Sequence, residues 1–293
     1  MSAAPADYDR DGWPDLYVTN DTEPNFLFHN LRGAKFEEVA LDAGAALPDD
    51  GKPVSSMGTD FRDYDNDGLP DIAYTALTGE TFPLFRNAGK ARFQDNTYAS
   101  RIGTLTARLA GWSIALADLD NDGYKDLFTS NSHVSDNIGL FSGDRYELPN
   151  SVFVNGGDGR FSSAIEVGVP RAHRGAVVTD LDGDGLQDIV VSVLGERPEL
   201  WHNVTSHGNH WIGLKLIGAK SNRDGIGAVI HVGTQWNHQS SSIGYASSVL
   251  APVHFGLGGQ SSVATIEIEW PSGIKEVLHD LKADQVIEVH EPR

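Results

Sequence analysis

The sequence predicts an all-β protein, with four β-propeller blades that form part of a larger propeller, followed by a small β-sandwich. Three observations predict it. A nine-residue acidic motif occurs four times at near-constant spacing, short β-type runs bracket each copy, and after residue 204 the acidic pattern gives way to alternating strands. Glycine, at 32 of 293 residues, supplies the turns such a chain needs.

The motif has the form D-x-D-x-D-G-x-x-D and spans Asp7–Asp15, Asp63–Asp71, Asp118–Asp126 and Asp180–Asp188. The copies start 56, 55 and 62 residues apart. At ordinary Asp and Gly frequencies one match is expected about once per million positions, so four are not chance. Each copy leads into a β-type run, namely Leu16–Thr19, Ile72–Thr75, Leu127–Ser130 and Ile189–Ser192. Next come strands ending at Asn30, Asn87, Asn155 and Asn203, and the first three of these turn through glycine to Lys35–Phe36, Arg92–Phe93 and Arg160–Phe161. Ahead of three motifs lie entering strands at Met57–Phe61, Trp112–Leu116 and Gly175–Thr179. Four strands per repeat without helical periodicity indicate propeller blades, because β-solenoid repeats are far shorter. The first unit, with only Met1–Ala6 before its motif, is expected to lack its leading strand, and the fourth its trailing strand.

The motif's spacing is that of a cation site. Alternate side chains of a tightly curled loop converge, so positions 1, 3, 5 and 9 offer carboxylates, position 7 offers a backbone carbonyl, and glycine at position 6 permits the turn. The expected ligands are Asp7, Asp9, Asp11, Trp13 and Asp15; Asp63, Asp65, Asp67, Leu69 and Asp71; Asp118, Asp120, Asp122, Tyr124 and Asp126; and Asp180, Asp182, Asp184, Leu186 and Asp188. Five or more hard oxygens suit Ca2+; magnesium demands a stricter octahedron, and zinc or copper would call for His or Cys. An EF-hand is excluded because position 12 is Val18, Tyr74, Thr129 or Val191 in β-type sequence instead of a glutamate entering a helix. Up to four calcium ions are expected. They would clamp loops structurally, since a catalytic ion needs an open coordination position.

These loops and blades resemble the FG-GAP, or VCBS, repeats of integrin α-chain-like propellers, in which the same motif joins two strands of a blade. The resemblance covers residues 1–204 and implies that the named aspartates hold calcium. Such propellers are larger rings, so four blades suggest part of a longer protein, the alternative being a small closed four-bladed ring.

From His210 onward the pattern changes to half-buried strands. Ile266, Ile268 and Trp270 share one face while Glu267 and Glu269 take the other. Ser221–Ala228, Val253–Gly258 and Trp270–Gly273 resemble the ASPIC/UnbV domain, which follows FG-GAP repeats in cartilage acidic protein-like proteins; the match spans residues 208–291. This pairing implies an extracellular or cell-envelope location and a role in adhesion or recognition, with no catalytic residues to carry over. A domain boundary is expected between Asn203 and His210, with residues 208–293 able to fold alone.

The formal charge of -19 lies mostly in residues 1–205, which hold 33 acidic and 16 basic side chains. Such a surface excludes nucleic acid and anionic membrane surfaces as partners, and no apolar stretch approaches the roughly 20 residues of a membrane span. Four calcium ions would bring the charge to -11. The absence of Cys excludes disulfides, thiolate metal sites and cysteine nucleophiles.

Other clusters carry less. His202, His207 and His210 read as a solvated linker, and Ser272–Lys275 as a turn, although it fits S-x-x-K. Arg171, His173 and Arg174, with the inserted stretch 131–149 and its His133, are the most ligand-like groups outside the acidic loops, because long inter-strand loops gather on one propeller face; the favoured reading is that they pair with the many aspartates. The expected function is therefore calcium-dependent, non-enzymatic binding of a protein or glycan at the propeller face. The alternatives are an enzyme with a pocket on that face, or a spacer for the C-terminal domain.

Overall fold

Short alternating segments separated by glycine-bearing turns build four small antiparallel sheets in sequence order. They were described from a computed structural model covering residues 1–162, 165–205 and 208–293. Blade 1 comprises β1 Ala3–Ala6, β2 Asp15–Val18, β3 Phe26–Asn30 and β4 Phe36–Glu38; blade 2 comprises β5 Thr59–Arg62, β6 Asp71–Tyr74, β7 Leu84–Asn87 and β8 Phe93–Asp95. Blade 3 comprises β9 Gly111–Ala117, β10 Asp126–Asn131, β11 Leu148–Phe153 and β12 Ile165–Arg171; blade 4 comprises β13 His173–Thr179, β14 Asp188–Val193 and β15 Glu199–Trp201. Within each blade, neighbouring strands pair in chain order, and successive inner strands β1, β5, β9 and β13 lie side by side. The arrangement is propeller-like.

Two strand expectations are corrected. The first unit does have a leading strand, because Ala3–Ala6 pairs antiparallel with Asp15–Val18, Ala4 and Ala6 packing inward on small methyl groups. In blade 3, Phe161 makes only an isolated bridge to Asn155, and the outer strand is Ile165–Arg171, whose exposed face masks the usual alternation. Blade 4 has three strands among the described residues, matching the missing trailing strand.

The second strands of blades 2 and 3, Asp71–Tyr74 and Asp126–Asn131, are buried at every position, so both of their faces feed the inter-blade cores. Tyr17, Tyr74 and Phe85 form a ring chain between blades 1 and 2, with centroids 6.1 and 5.7 Å apart. Ala115, Phe128, Val178 and Val191 pack between blades 3 and 4.

The C-terminal part is a sandwich of two sheets over one core. One sheet has the order β21-β16-β24 (β16 His210–Ile217, β21 Val253–Gly258, β24 Gln285–His290), and the other β18-β17-β22-β23 (β17 Val229–Val232, β18 Gln235–His238, β22 Ser262–Glu269, β23 Lys275–Lys282). Ile266, Ile268 and Trp270 are buried and Glu267 is exposed, as alternation requires.

More than a connecting segment joins the two parts. The small hairpin β19 Ser242–Ile243 and β20 Ser247–Ser248 lies among the inner strands, touching β1, β5, β9 and β13, and Ile243 joins the core of blades 3 and 4. Tyr245 meets Trp112 edge-on at 5.0 Å. Buried Lys125 donates to the Trp236 carbonyl (3.0 Å), Arg62 to Asn237 Oδ1 (2.8 Å), and His254 Nε2 lies 2.7 Å from Asn121 Oδ1. Chain cleavage between Asn203 and His210 is accordingly expected to leave the two pieces associated, because separation would strand these polar groups and Ile243. Gel filtration of the nicked protein checks this: a single co-eluting peak is expected, and two separate peaks would contradict it.

Candidate metal centres

Each acidic loop connects the inner strand of its blade to the second strand, so the motif begins where one strand ends and its last aspartate opens the next. That last aspartate is a buried strut. Asp15 accepts from the N–H of Tyr8 (3.2 Å) and Asn30 (2.7 Å); Asp71 from Tyr64 (3.1 Å) and Asn87 (2.7 Å); Asp126 from Leu119 (3.1 Å) and Asn155 (2.9 Å); Asp188 from Leu181 (3.0 Å) and Asn203 (2.8 Å). At position 1, one oxygen accepts from the position-6 glycine at 2.8, 2.9, 2.8 and 3.0 Å for Asp7, Asp63, Asp118 and Asp180. At position 5, Asp11, Asp67, Asp122 and Asp184 each accept from the N–H of position 7, which is Trp13, Leu69, Tyr124 or Leu186. These bonds curl the loop and fix which carboxylate oxygens turn inward.

The inward oxygens converge. Asp7, Asp9 and Asp15 bring ligand atoms within 4.8 Å of one another, as do Asp63, Asp65 and Asp71, and Asp118, Asp120 and Asp122. That is about the widest separation two oxygens can have on one calcium at ~2.4 Å. In the third loop Asp118 Oδ1 is buried with no hydrogen-bond partner among the described residues, whereas the equivalent atoms of Asp7 and Asp63 accept from Asp11 and Asp67. A buried carboxylate oxygen without a donor is costly unless a cation satisfies it. In these three clusters every donor is a carboxylate oxygen, so their residues fit a hard divalent cation.

Electrostatics point the same way. Burial first, and then the neighbouring aspartates, push Asp7 and Asp63 up to about 6, Asp15 and Asp118 to about 7 and Asp126 to about 8, with Asp71 raised well above the usual range. Without metal, ionising these groups costs folding free energy. A raised carboxylate pKa means the folded chain binds more protons than the unfolded one, so metal-free stability falls as pH rises through that pKa. Burial at the domain junction pushes His238 down to about 3 and His254 to about 4, which opposes the trend below about pH 6.5. In chelator the melting temperature is therefore expected to rise as pH drops from 8 to 6.5, while the gain on adding calcium shrinks, because protons compete for the ligands. Thermal scans at the two pH values check both signs.

The loops are also linked in series. The position-4 side chain of one loop reaches the position-6 glycine carbonyl of the next: Arg10 to Gly68 (3.4 Å), Asn66 to Gly123 (2.9 Å) and Asn121 to Gly185 (3.0 Å). Asn87, Asn155 and Asn203 reach back to the carbonyls of Tyr8, Tyr64 and Leu119 in the preceding loop. The sandwich sits on the same face, with Trp236 against Gly68, Gln235 against Gly123 and Trp211 against Gly185. At Gly185, φ is +88° and a Cβ would come within 1.8 Å of Trp211, so both the turn and the domain contact require glycine.

Three side chains facing these loops are not apparent from the motif. His29 Nε2 is 3.2 Å from Asp9, Arg86 spans Asp65 and Asp67, and His202 Nδ1 lies 3.2 Å from Asp188 and 3.6 Å from Asp182. His202 is exposed, as expected of a linker residue, and its ring also faces the fourth loop, where Asp182, Asp188 and His202 bring ligand atoms within 4.8 Å of one another. The signal was the shared asparagine, since His29, Arg86 and His202 each stand one residue before it. His210 instead pairs with Asp284 at 2.8 Å, and His207 lies outside the described residues. Arg171 bonds Glu196 and Glu199, and buried His173 bonds Glu199 and the Leu148 carbonyl. Arg174 stacks over Trp112 at 4.0 Å, and Ser272 donates to Glu291 in a turn.

FG-GAP-like repeats match residues 7–74, 63–129 and 139–191, which together cover more than half of the chain and all four loops. The chain belongs to the FG-GAP-like repeat family. Its C-terminal part, residues 218–293, matches the ASPIC and UnbV domain. The chain is similar to cartilage acidic protein 1 of Homo sapiens, 27% identical over 297 residues, covering 95% of this chain and 42% of that protein. The Xenopus tropicalis protein of the same name is 25% identical over 271 residues, with 88% and 40% coverage. This FG-GAP-like chain thus spans about two-fifths of the length of the curated relatives it matches. Among solved structures, an Agrocybe aegerita lectin that recognises non-reducing terminal N-acetylglucosamine overlaps 69% of this chain and 52% of its own, at 20% identity and a TM-score of 0.38. No helix among the described residues is long and apolar enough to cross a membrane.

Proposed function

We propose that the chain is a calcium-binding, non-enzymatic recognition module of the cell surface or secreted space, with a protein or glycan ligand at the propeller face. The observation that carries calcium binding is the convergence of aspartates in the four-fold motif, together with the partnerless Asp118 Oδ1. The loops would hold up to four ions. Bound there, calcium supplies counter-charge, while the chain's own residues set the loop curl, link one loop to the next and seat the sandwich. Because Trp236, Gln235 and Trp211 rest on the glycines of the second, third and fourth loops, the sandwich takes part of the loop side, and the opposite end of the blades is the freer surface for a partner. The 131–149 insertion projects from that end, since β10 runs away from its loop toward Asn131, and it exposes Leu140 and Phe141 at 81% and 77%. Broad inter-strand loops on a rigid scaffold suit a large ligand.

The test is a glycan and matrix-protein array run in calcium and in chelator, beside a hydrolase and transferase panel. Calcium-dependent capture that Leu140→Ser with Phe141→Ser abolishes is expected. Turnover lost on Asp182→Ala, with the fold intact, would favour the enzyme.

A further inference from the structure

The loop that begins at Asp63 differs from the others in what faces its carboxylates. The third-strand asparagine clamps the last aspartate in every blade, so the residue before it holds the same place four times: His29, Arg86, Val154 and His202. Arg86 Nε is 2.5 Å from Asp65 Oδ2 and Nη2 is 2.5 Å from Asp67 Oδ2. The Oδ1 atoms of the same two aspartates accept from the N–H of Asp67 (3.3 Å) and Leu69 (3.0 Å). The guanidinium therefore takes the two oxygens of positions 3 and 5 that the loop's own N–H groups leave open. In the third loop the corresponding side chain is uncharged Val154, which lines one cavity with Asp120 and Asp126, and Asp118 Oδ1 has no donor among the described residues. His29 and His202 each bring a single ring nitrogen to their loops.

We propose that Arg86 is the resident cation of the second loop, so that this loop keeps its own guanidinium and calcium occupies the other three. The inference rests on the calcium-binding function proposed above. A planar fork bonded to two carboxylates makes charge-assisted contacts, and arginine cannot shed its proton to make way. A calcium ion entering the second loop would have to break both contacts and then sit beside the displaced positive charge. At the same place the other three loops carry His29, Val154 and His202 instead of a guanidinium, so four copies of one motif give sites of unequal affinity.

Bound calcium counted by equilibrium dialysis and elemental analysis tests this on the full chain, with the wild type, Arg86→Val, which installs the third blade's residue, and the reverse change Val154→Arg. Three tightly held ions are expected for the wild type, four for Arg86→Val and two for Val154→Arg. Four ions of equal affinity in the wild type, or no gain for Arg86→Val, would overturn the assignment. Melting temperatures supply a second readout that needs no metal. In chelator, Arg86→Val is expected to lower the midpoint by stripping the loop's counter-charge, with Arg86→Lys recovering part of it; in calcium, Arg86→Val is expected to match or exceed the wild type. A loss of equal size in both media would mark a merely structural arginine and overturn the proposal. If no variant holds calcium, the proposed function fails, and the chelator scans alone decide whether Arg86 is the loop's counter-ion.

Discussion

Removing calcium is expected to lower the melting temperature of the whole chain by more than about 15 °C. A site held at a hundred times its Kd adds about 2.7 kcal/mol to stability. In a domain of this size that is roughly 5–10 °C per ion. The loss is expected to be cooperative, because Asn66, Asn121, Asn155 and Asn203 bond each loop to a neighbour, and Trp211 and Trp236 rest on loop glycines. The sandwich should loosen together with the blades. Thermal unfolding in calcium and in excess chelator, followed by both tryptophan fluorescence and far-UV circular dichroism, measures it. An unchanged midpoint would contradict the account.

Asp126→Ala is expected to be among the most damaging single loop substitutions, and to damage the metal-free protein too. Its two oxygens accept from the N–H groups of Leu119 and Asn155, both buried, and truncation strands both donors at about 1–3 kcal/mol each. Asp120→Ala removes only one long bond, from Asp122 at 3.2 Å, together with a charge from a crowded acidic loop. In chelator it should therefore change stability by less than about 0.5 kcal/mol or raise it slightly. In calcium both variants should lose one ion. Denaturant unfolding of the two variants with and without calcium separates strut from ligand, and equal losses in chelator would show that the two positions do not differ in this way.

How much of this was legible in the sequence varies with the distance over which the information acts. The loops and the strands that leave them were legible because Asp and Gly at fixed offsets encode a local turn, and Ile266, Ile268 and Trp270 encode a sheet face by alternation alone. The β1 strand was not, since Ala3–Ala6 is too short and too small to show a pattern and owes its conformation to pairing with Asp15–Val18. The outer strand Ile165–Arg171 was hidden because an exposed edge strand need not alternate. His202 looked like linker because its partners, Asp182 and Asp188, approach it only through the β14–β15 hairpin. Arg86 carried a signal in its place one residue before Asn87, but meaning came only from seeing four such places side by side. The hairpin Ser242–Ser248 among the inner strands, and the seat of the sandwich on the loops, are tertiary facts with no local pattern to announce them.

Calcium anomalous scattering from crystals of the intact chain grown in calcium tests the central claim most directly. The account predicts an anomalous peak inside the loop that begins at Asp118, with carboxylate oxygens of Asp118, Asp120 and Asp122 at about 2.3–2.6 Å and Asp118 Oδ1 among them. A well-ordered loop at saturating calcium with no peak there, or with water as the only partner of Asp118 Oδ1, would contradict it.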